Sequence, residues 1–297
     1  MLDTFAHTDF PAAELASRLP GPVTVVVPTR NCAGTIAATV GELGLLAEAG
    51  IVAQVLVVDA DSPDGTAVTA RGAGAEVVSE NELAPELGPV LGKGDAMWRS
   101  LRAARGELVV FVDGDVADFG RHYVTGLLGP LCEGGKGFVK GTYRRPFRQD
   151  GTELPQGGGR VTELTARPLL ARLAPELVQF DQPLSGEVAA RRDLLEEIPF
   201  VTGYGVEIAM LVRLWDRLGI DGMAQVDLGT KRNAHQPLAA LGGMAAEVIA
   251  ALAGTLDALG REDLGRLTPV EATGPVPTTR PPWSAVRAGR ASGAAAQ

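Results

Sequence analysis

One apolar run that ends in two carboxylates constrains the fold of this 297-residue chain more than any other feature. Leu108–Val112 is almost continuously apolar, which is typical of a strand buried on both faces of a parallel sheet. Asp113-Gly114-Asp115 follows at once. Open α/β sheets bind ligands beyond the carboxyl ends of their strands, and paired carboxylates suit Mg²⁺ or Mn²⁺. A solvated acidic turn is the alternative for so short a motif, so the surrounding residues must decide.

Two further apolar runs precede this segment, and each leads into a polar loop. They are Val23–Val27 and Gln54–Val58, and a helical pattern of about residues 33 to 49 separates them. After one more helix, Ala75–Ser79 predicts a third strand. Strands that alternate with helices through short links predict an α/β fold with a mostly parallel, right-handedly wound sheet.

The overall composition excludes several classes of protein. A net charge of −9 and a pI near 5.0 argue against non-specific nucleic-acid binding, so a phosphorylated substrate needs local basic groups. The two cysteines form no Cys-x-x-Cys pair, which favours a reducing, cytoplasmic location. We expect no membrane span, because no uninterrupted apolar stretch reaches about 18 residues. We also expect no signal peptide.

Two glycine-containing segments are candidates for binding anions. No dinucleotide-binding Gly-x-Gly-x-x-Gly follows the first strand and no P-loop motif occurs, which disfavours those two enzyme classes. Gly92-Lys93-Gly94-Asp95 instead opens a predicted helix, where backbone N–H groups and a lysine can meet a phosphate. Gln156–Leu164 carries three glycines, Arg160 and Thr162 into another helix. The alternatives are an exposed loop lysine and a flexible hinge.

The second half of the chain adds a carboxylate and a histidine. Glu207 falls in the first turns of a predicted helix, where it can face a sugar, although acidic residues are common there for dipole reasons alone. Asn233 and His235 lie on the same side of the chain if that segment is extended. His235 is therefore a metal-ligand candidate, with a structural histidine as the alternative. The tail from about Thr273 is expected to be loosely ordered.

Taken together, these segments resemble the actinobacterial glucosyl-3-phosphoglycerate synthases, which are retaining glycosyltransferases of the GT-A fold that use UDP-glucose and a divalent metal. The resemblance extends from about Val23 to Leu241. Its most specific parts are Gly92-Lys93-Gly94, Trp98-Arg99-Ser100, Tyr143-Arg144-Arg145-Pro146, Gly157–Leu164, Ala166–Leu170, Pro183–Glu187 and Gly203–Ile208.

The resemblance implies roles for individual residues. It implies that the donor is bound by Pro28, Thr29, Ala60, Lys93, Asp113, Gly114, Asp115, Tyr204 and Glu207. It implies that the acceptor is bound by Gly159, Arg160, Val161, Thr162, Lys231 and Asn233. The implied catalytic residues are Glu207, Lys93 and Asp115, and the implied ligands of Mg²⁺ or Mn²⁺ are Asp115 and His235.

Three positions depart from the family pattern. Cys32 replaces a glutamate in the first loop, which bears on the choice of nucleobase, and Asp61 replaces a glycine in the second. The family's His-x-Asn is here Asn233-Ala234-His235, with the two residue types exchanged. By strict position Asn233 replaces the metal histidine, whereas a spacing of two lets His235 reach the same side.

The resulting hypothesis is a metal-dependent transfer of glucose, with retention, from a nucleoside-diphosphate-glucose, with UDP-glucose as the expected donor, to 3-phosphoglycerate. The rival hypotheses are a same-fold glycosyltransferase with another small anionic acceptor or sugar nucleotide, a nucleotidyltransferase, and a non-catalytic binding module. The resemblance also implies a homodimer. We expect a lead-in at 1–20, a nucleotide-sugar-binding half at 21–142, an acceptor-binding half at 143–262 with a smaller helical part, and a partly disordered tail at 263–297.

Overall fold

An eight-stranded sheet forms the centre of the computed structural model, which describes residues 1–149, 152–154, 157–232, 237–261 and 278–289. The strands are β1 (Asp3–Ala6), β2 (Val23–Thr29), β3 (Gln54–Asp59), β4 (Glu76–Ser79), β5 (Leu108–Phe111), β6 (Phe138–Arg144), β7 (Phe147–Gln149), β8 (Thr152–Leu154), β9 (Val188–Arg191), β10 (Phe200–Val201), β11 (Met223–Thr230) and β12 (Thr279–Arg280). The helices are α1 (Ala12–Leu15), α2 (Ile36–Glu48), α3 (Thr66–Gly72), α4 (Lys93–Ser100), α5 (His122–Cys132), α6 (Arg167–Leu173), α7 (Arg192–Glu197), α8 (Val206–Leu218), α9 (Leu238–Ala258) and α10 (Trp283–Arg287).

The central sheet has the strand order β1-β11-β6-β9-β5-β2-β3-β4. All neighbouring strands run parallel except β9, which is antiparallel to both β5 and β6. The carboxyl ends of β2, β3, β5, β6 and β11 therefore share one edge of the sheet with the amino end of β9. The predicted α/β fold with a mixed, mostly parallel sheet flanked by helices is confirmed.

Residues of the central strands alternate between two hydrophobic cores. Val25 and Val27 of β2 pack in the core that contains α2 and α5, whereas Val26 packs in the core that contains α4 and α8. Val110 and Phe111 of β5 divide in the same way. This two-sided burial explains why these strands read as continuous apolar runs rather than as alternating patterns.

Both ends of the chain contribute described secondary structure. Within the predicted lead-in, β1 pairs in parallel with β11 at the edge of the sheet. Within the predicted tail, β12 pairs antiparallel with β10, and α10 follows it. The sequence offered no signal for either pairing, because each is short and joins residues far apart in the chain.

Helix α9 is the one described helix that is long and apolar enough to cross a membrane. Its most apolar 18-residue window has a mean hydropathy of 1.6, and 22% of that window is buried. Val248 and Leu252 pack into the core, whereas Leu238 is 76% exposed. One such helix is weak evidence for a span, so the absence of a span stays a prediction.

Candidate active site

Three charged residues meet at the edge of the sheet where the parallel strands end. Asp113 lies just beyond β5, Lys231 follows β11, and Glu187 directly precedes β9. Because β9 runs opposite to its neighbours, its first residue, Val188, lies beside Phe111 at the end of β5 and beside Lys140 of β6. The reversal of one strand thus brings a carboxylate from the third quarter of the chain to the Asp-Gly-Asp turn.

Lys93 links two of the carboxylates that the sequence singled out. It begins α4, and its Nζ lies 2.7 Å from Asp113 Oδ1 and 2.8 Å from Glu207 Oε1. Burial acts to lower the pKa of Lys93, but the two carboxylates outweigh burial and hold this pKa well above its ordinary value. Lys93 is therefore a cation at any physiological pH.

Lys231 holds the other oxygen of Asp113. Its Nζ lies 2.6 Å from Asp113 Oδ2 and also contacts Glu187 Oε1, and both Lys231 and Glu187 are buried. Burial acts to lower the pKa of Lys231, but Asp113 and Glu187 hold it well above its ordinary value. For Asp113 burial acts in the opposite direction, and the two ammonium groups hold its pKa well below the usual range.

The second aspartate of the motif has a different environment. Asp115 is exposed, whereas both oxygens of Asp113 are engaged by lysines. The described residues contain no group of three or more histidine, cysteine or acidic side chains that could hold a metal. A hard cation that keeps several waters and shares oxygens with a diphosphate fits a site with one exposed carboxylate. Asp115 would be that ligand, while His235 and Asn233 lie outside the described residues.

The residues predicted to bind the nucleoside lie at the ends of two neighbouring strands, β2 and β3. Thr29 Oγ1 donates to Asp59 Oδ1 at 3.0 Å, and the Ala60 N–H donates to the Thr29 carbonyl at 2.9 Å. These bonds hold Thr29 and Ala60 together, while their role in binding the donor stays a prediction. A Cβ on Gly114 would lie 2.7 Å from Thr29 Cγ2, which is too close, so the residue in the turn between the two aspartates must be a glycine.

Cys32 is buried beneath this turn. Burial raises the pKa of its thiol to about 11, so the thiol stays neutral. It therefore brings no negative charge to the place where the family pattern has a glutamate.

The predicted acceptor residues at 159–162 lie in the segment that leads into α6. Gly159 has φ +73°, a left-handed conformation that favours glycine, and Thr162 is buried. The Arg160 guanidinium lies over the Phe147 ring at 5.3 Å from its centre. A Cβ on Gly159 would lie 3.7 Å from Gln182 Oε1, and one on Gly186 would lie 2.7 Å from Lys93 Nζ. The loop from Gln182 to Gly186 therefore lies between Gly159 and Lys93.

The two predicted residues near α8 differ in exposure. Glu207 is buried in the first turn and bound to Lys93, whereas Tyr204 is 51% exposed. The Tyr204 N–H donates to Glu247 Oε2 of α9 at 2.8 Å. Lys231, predicted to bind the acceptor, is engaged by Asp113 and Glu187 in this structure.

Lys140 is a site residue for which sequence reasoning gave no role. It lies in β6, is almost fully buried, and donates from Nζ to the Ser185 carbonyl at 2.7 Å. The Ser185 hydroxyl in turn donates to Glu187 Oε2 at 3.0 Å. Burial lowers the pKa of Lys140 to about 8. The signal was available in the sequence, because a lysine interrupts the apolar run Phe-Val-Lys-Gly at residues 138–141.

This buried lysine predicts a pH dependence of stability. The folded-state pKa of about 8 lies below the value of 10.5 for an exposed lysine, so between them the unfolded state binds more protons and stability rises with pH. We expect the free energy of unfolding of wild type, relative to Lys140→Met, to increase by about 3 kcal/mol across that window.

Urea unfolding of both proteins at a series of pH values measures this difference. Titrating groups that do not interact with Lys140 contribute equally to both proteins and cancel in the difference. A difference that stays flat or falls with rising pH would contradict the assignment.

Comparisons with known proteins agree with this geometry. The profile of glycosyl transferase family 2 matches residues 24–181. The glucosyl-3-phosphoglycerate synthase of Mycolicibacterium smegmatis is 48% identical over 232 residues, which cover 77% of this chain and 76% of that protein. The enzyme of the same name from Mycobacterium tuberculosis is 47% identical over 234 residues, covering 77% and 72%.

Solved structures give the same result over almost the whole chain. Mannosyl-3-phosphoglycerate synthase from Rubrobacter xylanophilus is 41% identical with a TM-score of 0.85, covering 96% of this chain and 97% of that one. Glucosyl-3-phosphoglycerate synthase from Mycobacterium tuberculosis, in complex with Mn²⁺, UDP-glucose and phosphoglyceric acid, is 39% identical with a TM-score of 0.84, covering 96% and 99%. The same enzyme has been solved with Mg²⁺ and UDP, at 38% identity, a TM-score of 0.83 and coverage of 96% and 99%. The chain therefore belongs to glycosyl transferase family 2, among the relatives of glucosyl-3-phosphoglycerate synthase, and is a glycosyltransferase.

Proposed function

We propose that this chain transfers glucose from UDP-glucose to 3-phosphoglycerate, with a divalent metal and with retention of configuration at the anomeric carbon. The observation that carries the proposal is the position of Lys93, which bridges Asp113 and Glu207 next to the exposed Asp115. The neighbouring structures contain Mn²⁺, UDP-glucose and phosphoglyceric acid together, which supports the choice of substrates.

The lysines and carboxylates are suited to a diphosphate leaving group. Asp115 would hold Mg²⁺ or Mn²⁺, which when bound would supply positive charge to offset the charge on the diphosphate. Lys93 supplies a second positive charge, which is permanent because its pKa is held high. In this structure Lys93 is bound to Asp113 and Glu207. An arriving diphosphate therefore competes with these two carboxylates for the Lys93 ammonium group.

The carboxylates near the site support front-face attack over a covalent glycosyl intermediate. A retaining enzyme of the covalent type needs a carboxylate able to attack the sugar. Glu207 is bound to Lys93, while Glu187 is buried and bound to both Lys231 and Ser185. The departing phosphate oxygen would then accept the proton of the acceptor hydroxyl, and Glu207 would orient the sugar.

The acceptor is assigned to the glycine-rich segment before α6. The backbone N–H groups of Gly157 and Gly159, the Arg160 guanidinium and the Thr162 hydroxyl are groups that bind phosphate or carboxylate. With a net charge of −9, the chain needs such a local concentration of donors to attract a small anion.

The exposed apolar face of α9 supports a homodimer. Only 22% of its apolar window is buried within one chain, and Leu238 at its start is 76% exposed, so we expect this helix to pack against a second copy of the chain. Light scattering of the purified protein should give twice the mass of one chain, and the mass of a single chain would contradict the dimer. Two thiols without a disulfide and small soluble substrates support a cytoplasmic location.

The metal role predicts a large effect of one carboxylate. Asp115→Asn removes the charge but keeps the shape, and we expect turnover of UDP-glucose with 3-phosphoglycerate to fall by about 100-fold or more. Chelation of Mg²⁺ and Mn²⁺ should abolish wild-type turnover, and NMR of the product should show the anomeric configuration of the donor retained.

Asp118→Asn is the matched control for that experiment. Asp118 lies three residues further along the same loop, where it makes an exposed ion pair with Arg232. Exposed pairs contribute little, so this variant should keep turnover close to wild type. Near-normal turnover by Asp115→Asn, or equal losses in both variants, would refute the metal role.

The acceptor assignment predicts a selective change in KM. Arg160→Met should raise the KM for 3-phosphoglycerate by about 10-fold or more, because a charge-assisted contact is lost, with the KM for UDP-glucose nearly unchanged. Arg172→Met, at the exposed far end of α6, is the control and should alter neither constant.

The same assay separates the rival substrates. A parallel series with other sugar nucleotides is needed because a mannosyl-3-phosphoglycerate synthase is also a structural neighbour. Transfer to a different anion, or from a mannose nucleotide only, would assign the chain to the rival glycosyltransferase.

A further inference from the structure

The last described segment of the chain packs directly behind the donor site. We name residues 278–289 the C-terminal strap; it contains β12 and α10. The Trp283 ring of the strap stacks on the Trp98 ring of α4, with centres 4.4 Å apart and an angle of 15° between the planes. Trp98 Nε1 donates to the Pro281 carbonyl at 2.8 Å. The strap therefore packs on the helix whose first residue is Lys93.

Arg280 of the strap is bound to a fully buried aspartate in that helix. Its Nε lies 2.9 Å from Asp95 Oδ1, and its Nη2 lies 2.8 Å from Asp95 Oδ2. Such a two-bond contact fixes both position and orientation of the carboxylate. The other arginine beside Asp95 is Arg99, at the longer distance of 3.4 Å. Arg280 thus makes the shorter contacts with both oxygens of Asp95.

Asp95 in turn holds the backbone that leads into Lys93. Its Oδ2 accepts the Leu91 N–H at 2.9 Å, and the Leu91 carbonyl accepts the Gly203 N–H at 3.1 Å. Gly203 opens the turn that precedes Glu207 in α8. This series of contacts therefore connects Arg280 to the backbone beside Lys93 and beside Glu207, whose side chains form an ion pair in the site.

The first turn of α4 packs closely against the end of β10 and the turn that follows it. A Cβ on Gly94 would lie 2.0 Å from the Val201 carbonyl, and one on Gly92 would lie 3.3 Å from the Gly203 Cα. The strap is also bonded to the residue that follows β10, since the Thr202 N–H donates to the Thr278 carbonyl at 2.8 Å. With no space for adjustment between α4 and β10, a displaced Asp95 would shift the first turn of α4 as a unit.

We propose that Arg280 is a positioning residue of the donor site. By holding Asp95 it fixes the first turn of α4, and thereby keeps the Lys93 ammonium where it meets Asp113, Glu207 and the donor diphosphate. Small displacements of a charged group in an active site reduce rates strongly. The choice of substrates in this proposal rests on the proposed function. The contact between Arg280 and Asp95 is independent of that choice.

The strap offers a matched control at its other end. Arg287 makes a two-bond contact with Glu196 of α7, and this pair is more exposed than Arg280–Asp95. Arg280→Met and Arg287→Met each remove one arginine–carboxylate contact from the same strap. A purely structural role predicts a loss of stability in each variant without a selective change in the donor constants, whereas a positioning role predicts a kinetic effect of Arg280 alone.

Steady-state kinetics of the full-length variants tests the proposal. For Arg280→Met we expect kcat/KM for UDP-glucose to fall by about 10-fold or more, with the KM for 3-phosphoglycerate within about 2-fold of wild type. Arg287→Met should stay within about 2-fold of wild type in every constant. Arg280→Lys keeps the charge but not the two-bond contact, and it should recover part of the loss.

Several outcomes would overturn the proposal. Equal kinetic losses in the two methionine variants would do so, as would unchanged constants in Arg280→Met. If Arg280→Met does not fold, Arg280→Lys decides the question, because wild-type kinetics in that variant would exclude a positioning role.

Failure of the proposed function is recognised separately, because wild type itself would then not transfer glucose to 3-phosphoglycerate. Calorimetry with UDP and Mn²⁺ would still compare the variants. Weaker binding by Arg280→Met than by Arg287→Met supports the proposal, and equal binding overturns it.

Discussion

The active site depends on compensation between buried and half-buried charges at one edge of a sheet. Asp113 lies between Lys93 and Lys231, Glu207 extends the cluster on one side, and Glu187 extends it on the other. Removing one member would leave its partner charged and desolvated, which is far more costly than losing an exposed ion pair. The arrangement therefore forces several segments to meet in one geometry, and it leaves Asp115 as the exposed carboxylate of the pair.

The reversed strand β9 makes this cluster possible. In a fully parallel sheet, the residue before a strand would lie at the opposite edge from the residues that follow its neighbours. Because β9 is antiparallel to β5 and β6, Glu187 instead reaches Lys231, and the Ser185 carbonyl reaches Lys140. A single change of strand direction thus supplies both a carboxylate and the loop between the residues predicted to bind the donor and those predicted to bind the acceptor.

Packing on the far side of α4 completes the structure of the site. The start of this helix touches the start of α8 with almost no free space at Gly94. Asp95 and Arg280 lie behind that contact, 185 residues apart in the chain. Rigid support of this kind suits chemistry in which the protein positions charge around a leaving group and makes no covalent bond of its own.

The sequence by itself determined the α/β class, the central strands β2, β3 and β5, and the family. It did so because apolar runs such as Leu108–Val112 and motifs such as Gly92-Lys93-Gly94 are local patterns. It also singled out Lys93, Asp113 and Glu207, which the structure brings into contact. The ligand roles of these residues stay predictions.

Only the tertiary structure decided which charges pair. The contacts of Lys140, Glu187 and Arg280 depend on strand order, on the direction of β9 and on packing between distant segments. No local period records those relations, because a buried charge is stabilised by whatever the fold places beside it.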